Sequence, residues 1–237
     1  CQEADLVFIL AGTSHGSPFI SRVIEDAGER IVHGVATKPC QSTVLGLINN
    51  TTVIGFPLDA MGVFAAYELL ARPLFSEKLG PSVALDSSNF AEAVLAVPLK
   101  RQSGIEELLR VKMGRVDGVR VAVPDSGGAS TLMSLVRASG YIRVRSETEE
   151  LKPGHRCTVR LLSSDRKLEG NILLLGTHDI SYDLLRSQLL AKFPELSLHT
   201  AATGGMKGLN AVRSGLCHAA AVHLFDEDTG DYNVPFI

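Results

Sequence analysis

The sequence lacks the features that mark several large classes of protein. Its 237 residues carry a net charge of −3, whereas a nucleic-acid-binding surface needs clustered lysine and arginine. No apolar run approaches the roughly 20 residues that span a bilayer, and no signal peptide is visible. We therefore expect a cytoplasmic protein with neither a nucleic-acid nor a membrane partner.

Cysteine is also scarce. The four cysteines, Cys1, Cys40, Cys157 and Cys217, are widely spaced and form no C-x-x-C pair. That spacing predicts reduced thiols rather than a disulfide framework or a zinc site. For Cys40 a role in a functional site stays open, but packing in a core is the favoured interpretation.

What the chain does contain is typical of a globular protein, because 45% of its residues are hydrophobic and 21% are charged. Turn signals from glycine and proline divide it into three parts. Residues 1–80 and 164–237 combine apolar strands with helical periodicity, whereas residues 81–163 consist of short alternating segments.

The first part centres on residues 51–56, an apolar run that predicts a buried strand of a parallel sheet. Pro57, Leu58 and Asp59 follow, and Asp59 is placed to cap the helix that comes next. Such strand ends bind anions in open α/β sheets, although an ordinary connection without a ligand fits equally well. Residues 5–16 repeat the arrangement, with a buried strand and a small-residue turn before a helix over residues 18–26.

The second part predicts a small β-barrel or sandwich. Its strands are expected at residues 91–99, 105–113, 119–123, 141–144 and 157–162, with a helical piece near residues 130–138. Asp117-Gly118 predicts a hairpin turn. The basic residues of this part are interpreted as a solvated face: Arg110, Lys112, Arg120, Arg137, Arg143 and Arg145.

The third part follows a polar segment, residues 163–170, that is interpreted as a linker. Its strands and helices alternate, which predicts a parallel sheet with right-handed crossovers. Residues 176–179 and 203–205, together with His223 and Asp226, are expected at one edge of that sheet. Backbone N–H groups there would suit a small oxyanion. The histidine and aspartate spacing fits no standard zinc pattern.

These motifs resemble those of the molybdopterin molybdotransferases, the gephyrin-type enzymes of molybdenum cofactor synthesis. The matching positions of the first part are, in order, Lys38-Pro39, Thr43, Gly46, Gly55-Phe56-Pro57 and Arg72-Pro73-Leu74. Residues 98–124 and 126–162 resemble the family's barrel domain. Residues 171–237 resemble the substrate-binding-protein-like domain that is fused behind such modules.

The resemblance implies a fold of α/β class. Residues 1–80 would form half of a three-layer αβα molybdopterin-binding domain, whose first half is expected upstream of residue 1. Residues 81–163 would form a β-barrel domain, and residues 164–237 part of a periplasmic-binding-protein-like lobe.

The resemblance also implies an activity, the insertion of molybdate (or tungstate) into adenylylated molybdopterin with release of AMP. Magnesium (Mg2+) would be the cofactor, and a second copy in a homodimer the partner. The implied catalytic residues are Lys38, Asp59 and Ser14; no metal ligand is assigned. The implied substrate-binding residues are Gly12, Gly16, Ser17, Pro57, Ser130, Gly176, Thr177, His178, Gly204 and Gly205.

Several positions depart from the family pattern. Ser17 replaces an acidic residue, Cys40 and Gln41 replace a glycine and a lysine, and Ala60 ends a turn that usually reads Pro-Gly-Asn-Pro. A pocket for an oxyanion and a pyrophosphate needs several cationic donors. One alternative is therefore a catalytically degenerate module that binds oxyanion or pterin, and another is a purely structural dimerisation unit.

Overall fold

The first part of the chain forms a four-stranded sheet whose strands are not all parallel. The structure, a computed structural model, describes residues 3–10, 19–80, 89–101, 104–125, 132–162 and 164–237. The strands are β1 (Leu6–Leu10), β2 (Glu29–His33), β4 (Val44–Ile48) and β5 (Thr51–Phe56), in the order β1-β5-β4-β2. Helix α1 (Phe19–Ala27) packs against this sheet through Ile20 and Ile24.

Strand β5 was predicted to be a buried strand of a parallel sheet, and the prediction that the sheet is parallel was wrong. Strand β5 runs parallel to β1 but antiparallel to β4. Asn49 and Asn50 cause the difference, since both have positive φ angles (51° and 63°) and form the tight turn that joins antiparallel neighbours. The prediction that β1 is a buried strand also failed, because β1 lies at the edge of the sheet and Leu10 is 65% exposed.

A long helical stretch follows β5. It consists of α2 (Ala60–Ala66), a π-helical turn (Tyr67–Ala71) and α3 (Arg72–Leu79). Asp59 caps it as predicted, with a side-chain oxygen that accepts from the Gly62 N–H at 2.6 Å. The Arg72 N–H donates to the Tyr67 carbonyl, five residues back, so the irregular turn lies directly before Pro73, which has no N–H to donate.

The π-helical turn carries a buried carboxylate that joins the first part to the second. Glu68 is only 9% exposed. It accepts from the Tyr141 hydroxyl at 2.8 Å and pairs with Arg72 at 2.7 Å. Burial and the neighbouring Glu68 raise the pKa of Tyr141, which therefore stays a hydrogen-bond donor.

We expect Glu68→Ala to lower the free energy of unfolding by about 2 kcal/mol, because the Tyr141 hydroxyl and the Arg72 guanidinium would both lose their acceptor. Urea unfolding followed by circular dichroism measures the change. Glu77→Ala is the matched control, since Glu77 is exposed on the same helical stretch. Equal effects of the two substitutions would contradict the assignment.

The second part is the predicted barrel. Its strands are β6 (Phe90–Leu95), β8 (Glu106–Val116), β9 (Val119–Pro124), β10 (Gly140–Val144) and β12 (Arg156–Leu161). Their order is β10-β12-β6-β9-β8, and pairing of β8 with β10 closes the ring. The Asp117-Gly118 hairpin is confirmed, with φ angles of 48° and 80°. Leu95, Val111 and Met113 fill the interior.

Three smaller elements complete this region: β7 (Leu99–Lys100) pairs with β11 (Glu150–Leu151), and α4 (Leu132–Val136) precedes β10. Strand β3 (Thr37–Lys38) leaves the first part and pairs in parallel with β8, so that Lys38 lies opposite Glu107. The sequence analysis did not predict this connection between the two parts.

The interpretation of the basic barrel residues as one solvated face was wrong in part. Arg145 does have an 81% exposed side chain, but Arg110 is only 5% exposed. Arg120 holds Asp165 with two hydrogen bonds of 2.8 and 2.7 Å. Some basic residues of the barrel are therefore exposed to solvent, whereas others are buried or bind neighbouring segments.

The third part is a parallel sheet, as predicted. Strands β13 (Asn171–Gly176), β14 (Ser197–Ala202) and β15 (Ala219–Ala221) lie in the order β14-β13-β15. Helices α5 (Ser181–Lys192) and α6 (Gly205–Arg213) connect them, and a 3-10 turn (Val234–Phe236) lies near residue 237. Within the described ranges, no helix is both long and apolar enough to cross a membrane.

The barrel and the third part share a core. Val116, Val121 and Val123 of the barrel form one buried cluster with Leu173 and Leu175 of β13. The predicted linker is instead a 3-10 helix (Asp165–Gly170), and its Leu168 is fully buried against the barrel interior. Because this segment is mostly polar, the sequence analysis did not predict that Leu168 is buried.

Candidate functional site

The Lys38-Pro39 turn and the first turn of α2 each contribute one residue to the wall of a cavity, whereas Lys38, Pro57 and Asp59 themselves do not line it. Lys38 ends β3 and is joined to Pro39 by a cis peptide bond. Pro39 and Met61 line a cavity of about 300 Å³, which we call the turn cavity. Its other walls come from the barrel: Leu99, Arg101, Glu107, Leu108, Leu109, Arg110, Pro124 and Asp125.

The bend before α2, residues 57–59, is closely packed against the first turn of that helix. Pro57 is buried, and Asp59 is half-buried at the helix cap. A Cβ atom on Gly62 would lie 2.6 Å from an Asp59 carboxylate oxygen and 2.8 Å from the Pro57 ring. The first turn of α2 therefore packs directly against the bend, and its Met61 lines the turn cavity.

The charges of the turn cavity are balanced among the residues described. Arg101 forms an ion pair with Glu107. Arg110 is buried and donates to the Ser134 hydroxyl of α4, and the Asp125 N–H donates to the Arg110 carbonyl at 2.9 Å. A buried guanidinium beside an apolar wall is a suitable partner for an oxyanion or a phosphate.

Cys40 has the packing role that the sequence favoured. Its thiol is fully buried, and burial, with smaller contributions from the charges of Glu106 and Asp59, raises its pKa to about 11. A thiol of this kind is not a nucleophile at neutral pH. Cys40 belongs to the same buried cluster as Ala65 and Ala66 of α2.

Five predicted site residues lie outside the described residues. They are Gly12, Ser14, Gly16 and Ser17 of the first small-residue turn, and Ser130 of the barrel turn. Their assignment stays a prediction.

The second predicted edge is assembled as expected in the third part. The Thr177 N–H donates to the Ala221 carbonyl at 2.9 Å, and the Thr203 and Gly204 N–H groups donate to the Gly176 carbonyl at 2.8 and 3.0 Å. These three donors are thus used by the fold itself. Gly205 is buried, whereas His178 is exposed. Binding of an oxyanion at this edge stays a prediction.

The residues present do not form a resident magnesium site in the described part of the chain. No group of three or more histidine, cysteine or acidic residues is placed to hold a metal ion there. Around the turn cavity, Glu107 is paired with Arg101 and Asp59 caps α2. Magnesium prefers carboxylate oxygens and often relies on substrate phosphates for its remaining ligands.

Comparison with known families agrees with the barrel geometry. Residues 92–162 match the model of the MoeA C-terminal region (domain IV). The barrel is MoeA-like. Residues 186–237 match the model of the PBP superfamily domain, which covers most of the parallel sheet of the third part.

Two known proteins extend the likeness beyond residues 92–162, since each covers more than two thirds of this chain. A Methanocaldococcus jannaschii protein named for molybdopterin biosynthesis is 30% identical over 169 residues, which is 68% of this chain and 37% of that protein. The crystal structure of a MoeA molybdopterin biosynthesis protein from Pyrococcus horikosii is 26% identical, with a TM-score of 0.56 over 69% of this chain and 38% of that one. The chain thus spans little more than a third of either relative.

Sequence reasoning missed the barrel side of the turn cavity. Arg101, Glu107 and Arg110 were not predicted, because they reach the cavity only when β3 pairs with β8. Asp125 did carry a usable signal, since it ends a buried strand directly before a Ser-Gly-Gly turn.

Proposed function

We propose that the chain acts in molybdenum cofactor biosynthesis, and that the protein to which it belongs inserts molybdate (or tungstate) into adenylylated molybdopterin. The observation that carries the proposal is the turn cavity. It places Pro39, which directly follows Lys38, and Met61, in the first turn of α2, against a barrel that matches the MoeA C-terminal region.

In this proposal the residues bind and orient the substrates. Lys38 would hold a phosphate or the oxyanion as a point charge, and Arg110 would contribute a fixed guanidinium. Ser14 and Ser130 are proposed to line the cavity. Magnesium is proposed to arrive with the substrate phosphates, and the protein is proposed to act as a cytoplasmic homodimer.

The test is an assay of AMP release from adenylylated molybdopterin by the complete protein, with molybdate and magnesium present. We expect Lys38→Ala to reduce the rate at least tenfold, because one charged contact to a phosphate is worth roughly 1.5–3 kcal/mol. Lys192→Ala is the matched control, since Lys192 is exposed at the end of α5, in the third part. An unmodified protein that releases no AMP would refute the enzymatic proposal, and equal rates for the two variants would refute the role of Lys38.

A second candidate is a module that binds oxyanion or pterin without turnover. The inert, fully buried Cys40 favours it, as does the pairing of Arg101 with Glu107, which leaves less free positive charge for a substrate. Calorimetry with molybdate, sulfate and pterin separates the two candidates. A regulatory module would bind one of these ligands and release no AMP, whereas a purely structural unit would bind none of them.

A further inference from the structure

A second, larger cavity lies between the barrel and the third part. Its volume is about 800 Å³, and we call it the cationic cavity. Lys112, Arg137 and Ser139 line it from the barrel side, and Arg186 and His199 line it from the parallel sheet. It shares no lining residue with the turn cavity.

Positive charge dominates its walls. Five cationic side chains face one carboxylate, that of Glu195; the cations are Lys112, Arg137, Arg166, Lys167 and Arg186. Among the residues that the structure describes, only Arg186 of these five has an ion-pair partner, Asp183 at 3.0 Å. The whole chain has a net charge of −3. The walls of this cavity are therefore positively charged although the chain as a whole is negatively charged.

Lys112, on β8 of the barrel, lines the cavity and contacts the parallel sheet. It is half-buried, and its ammonium lies 3.4 Å from the Thr200 carbonyl oxygen. Burial lowers the pKa of Lys112, and the charges of Arg186, Arg137 and Arg110 lower it further, while Asp125 opposes them. An anion in the cavity would relieve both the desolvation and the repulsion.

Arg186 is held in place by hydrogen bonds to the third part itself. Its Nε donates to the Leu198 carbonyl at 3.0 Å, and its Nη2 atom lies 3.3 Å from the Thr200 hydroxyl. A guanidinium that is fixed beforehand loses less side-chain entropy when it binds a phosphate. The neighbouring His199 is neutral near pH 7, because burial and the charges of Lys112 and Arg186 lower its pKa to about 4.

The remaining wall is apolar and open. Val136 and Leu190 line the cavity and are 67% and 56% exposed, and Pro194 and Leu196 lie beside them. A simple inorganic anion would leave this surface in water. A ligand that has both a phosphate and an apolar group would use both walls.

We infer that the cationic cavity binds an organic phosphate, with its phosphate between Lys112 and Arg186 and its apolar or aromatic group against Val136 and Leu190. The cavity volume lies within the roughly 300–1,000 Å³ that is usual for small-molecule sites. The inference does not depend on the proposed function, because the two cavities share no lining residue.

The test uses the intact chain in a phosphate-free buffer and three probes: 1-naphthyl phosphate, inorganic phosphate and 1-naphthol. Isothermal calorimetry measures binding. We expect saturable binding of naphthyl phosphate, at least tenfold tighter than that of either other probe, because only it engages both walls. Lys112→Met and Arg186→Gln should each weaken this binding about tenfold.

Because Lys112 and Arg186 also make internal hydrogen bonds, a second variant avoids any effect on folding. Arg166→Gln combined with Lys167→Gln changes two exposed rim residues and should weaken binding severalfold. Arg213→Gln, on the exposed side of α6, is the control for charge alone. Absence of saturable binding, equal losses in the Arg213 variant, or equal affinity for 1-naphthol would overturn the inference.

Discussion

Gly176→Ala is expected to unfold the parallel sheet of the third part, with a loss of about 4 kcal/mol or more. Gly176 ends β13 with a φ angle of +136°, and a Cβ atom there would lie 1.9 Å from the Ala221 carbonyl oxygen of β15. That oxygen cannot move away freely, because it accepts from the Thr177 N–H. The substitution must therefore separate β13 from β15, which are directly paired.

Amide hydrogen exchange across β13 and β15 measures this effect locally. Gly204→Ala is the matched control, since Gly204 also has a positive φ angle (+88°) but its Cβ atom would meet nothing within 4 Å. We expect that control to lose less, about 1–3 kcal/mol, from backbone strain alone, because Gly204 has φ 88° and ψ 147°. If both substitutions lower the free energy of unfolding equally, backbone strain would explain the requirement for glycine at residue 176, and the contact with β15 would not.

His199 is expected to make the third part less stable as the pH falls from 6.5 to 4. In the folded chain, burial and the charges of Lys112 and Arg186 lower its pKa from 6.5 to about 4. In the unfolded chain it titrates near 6.5, so between these values only the unfolded state binds the proton. Stability that is fully present above pH 6.5 is thus lost on acidification, by at most about 3 kcal/mol at pH 4.

Unfolding midpoints measured at half-unit pH steps test this, with the comparison made between the unmodified chain and His199→Gln. The variant should lose less stability over the same window, because carboxylates titrate equally in both proteins. His178→Gln is the control for the replacement of a histidine at an exposed position. Parallel curves for the unmodified chain and His199→Gln would contradict the prediction.

The two cavities differ in how much of them the sequence predicted. One side of the turn cavity follows from local signals: the Lys38-Pro39 motif, the strand at β5 and the cap at Asp59. The side formed by Arg101, Glu107 and Arg110 does not follow from local signals. Alternation along a strand distinguishes its two faces, but it does not show which elements pack against each face. Arg110 was therefore assigned to solvent although it is buried. Nothing in the sequence predicted the cationic cavity.

By itself, the sequence determined the elements whose causes lie within a few residues. These include the Asp59 helix cap, the Asp117-Gly118 turn and the alternation of strands and helices beyond residue 170. Only the tertiary structure decided that β4 lies antiparallel beside β5, that β3 joins the barrel, and that Lys112 and Arg186 face one cavity. Caps and turns are set by local hydrogen bonds and backbone angles, whereas these pairings depend on which distant apolar surfaces bury each other.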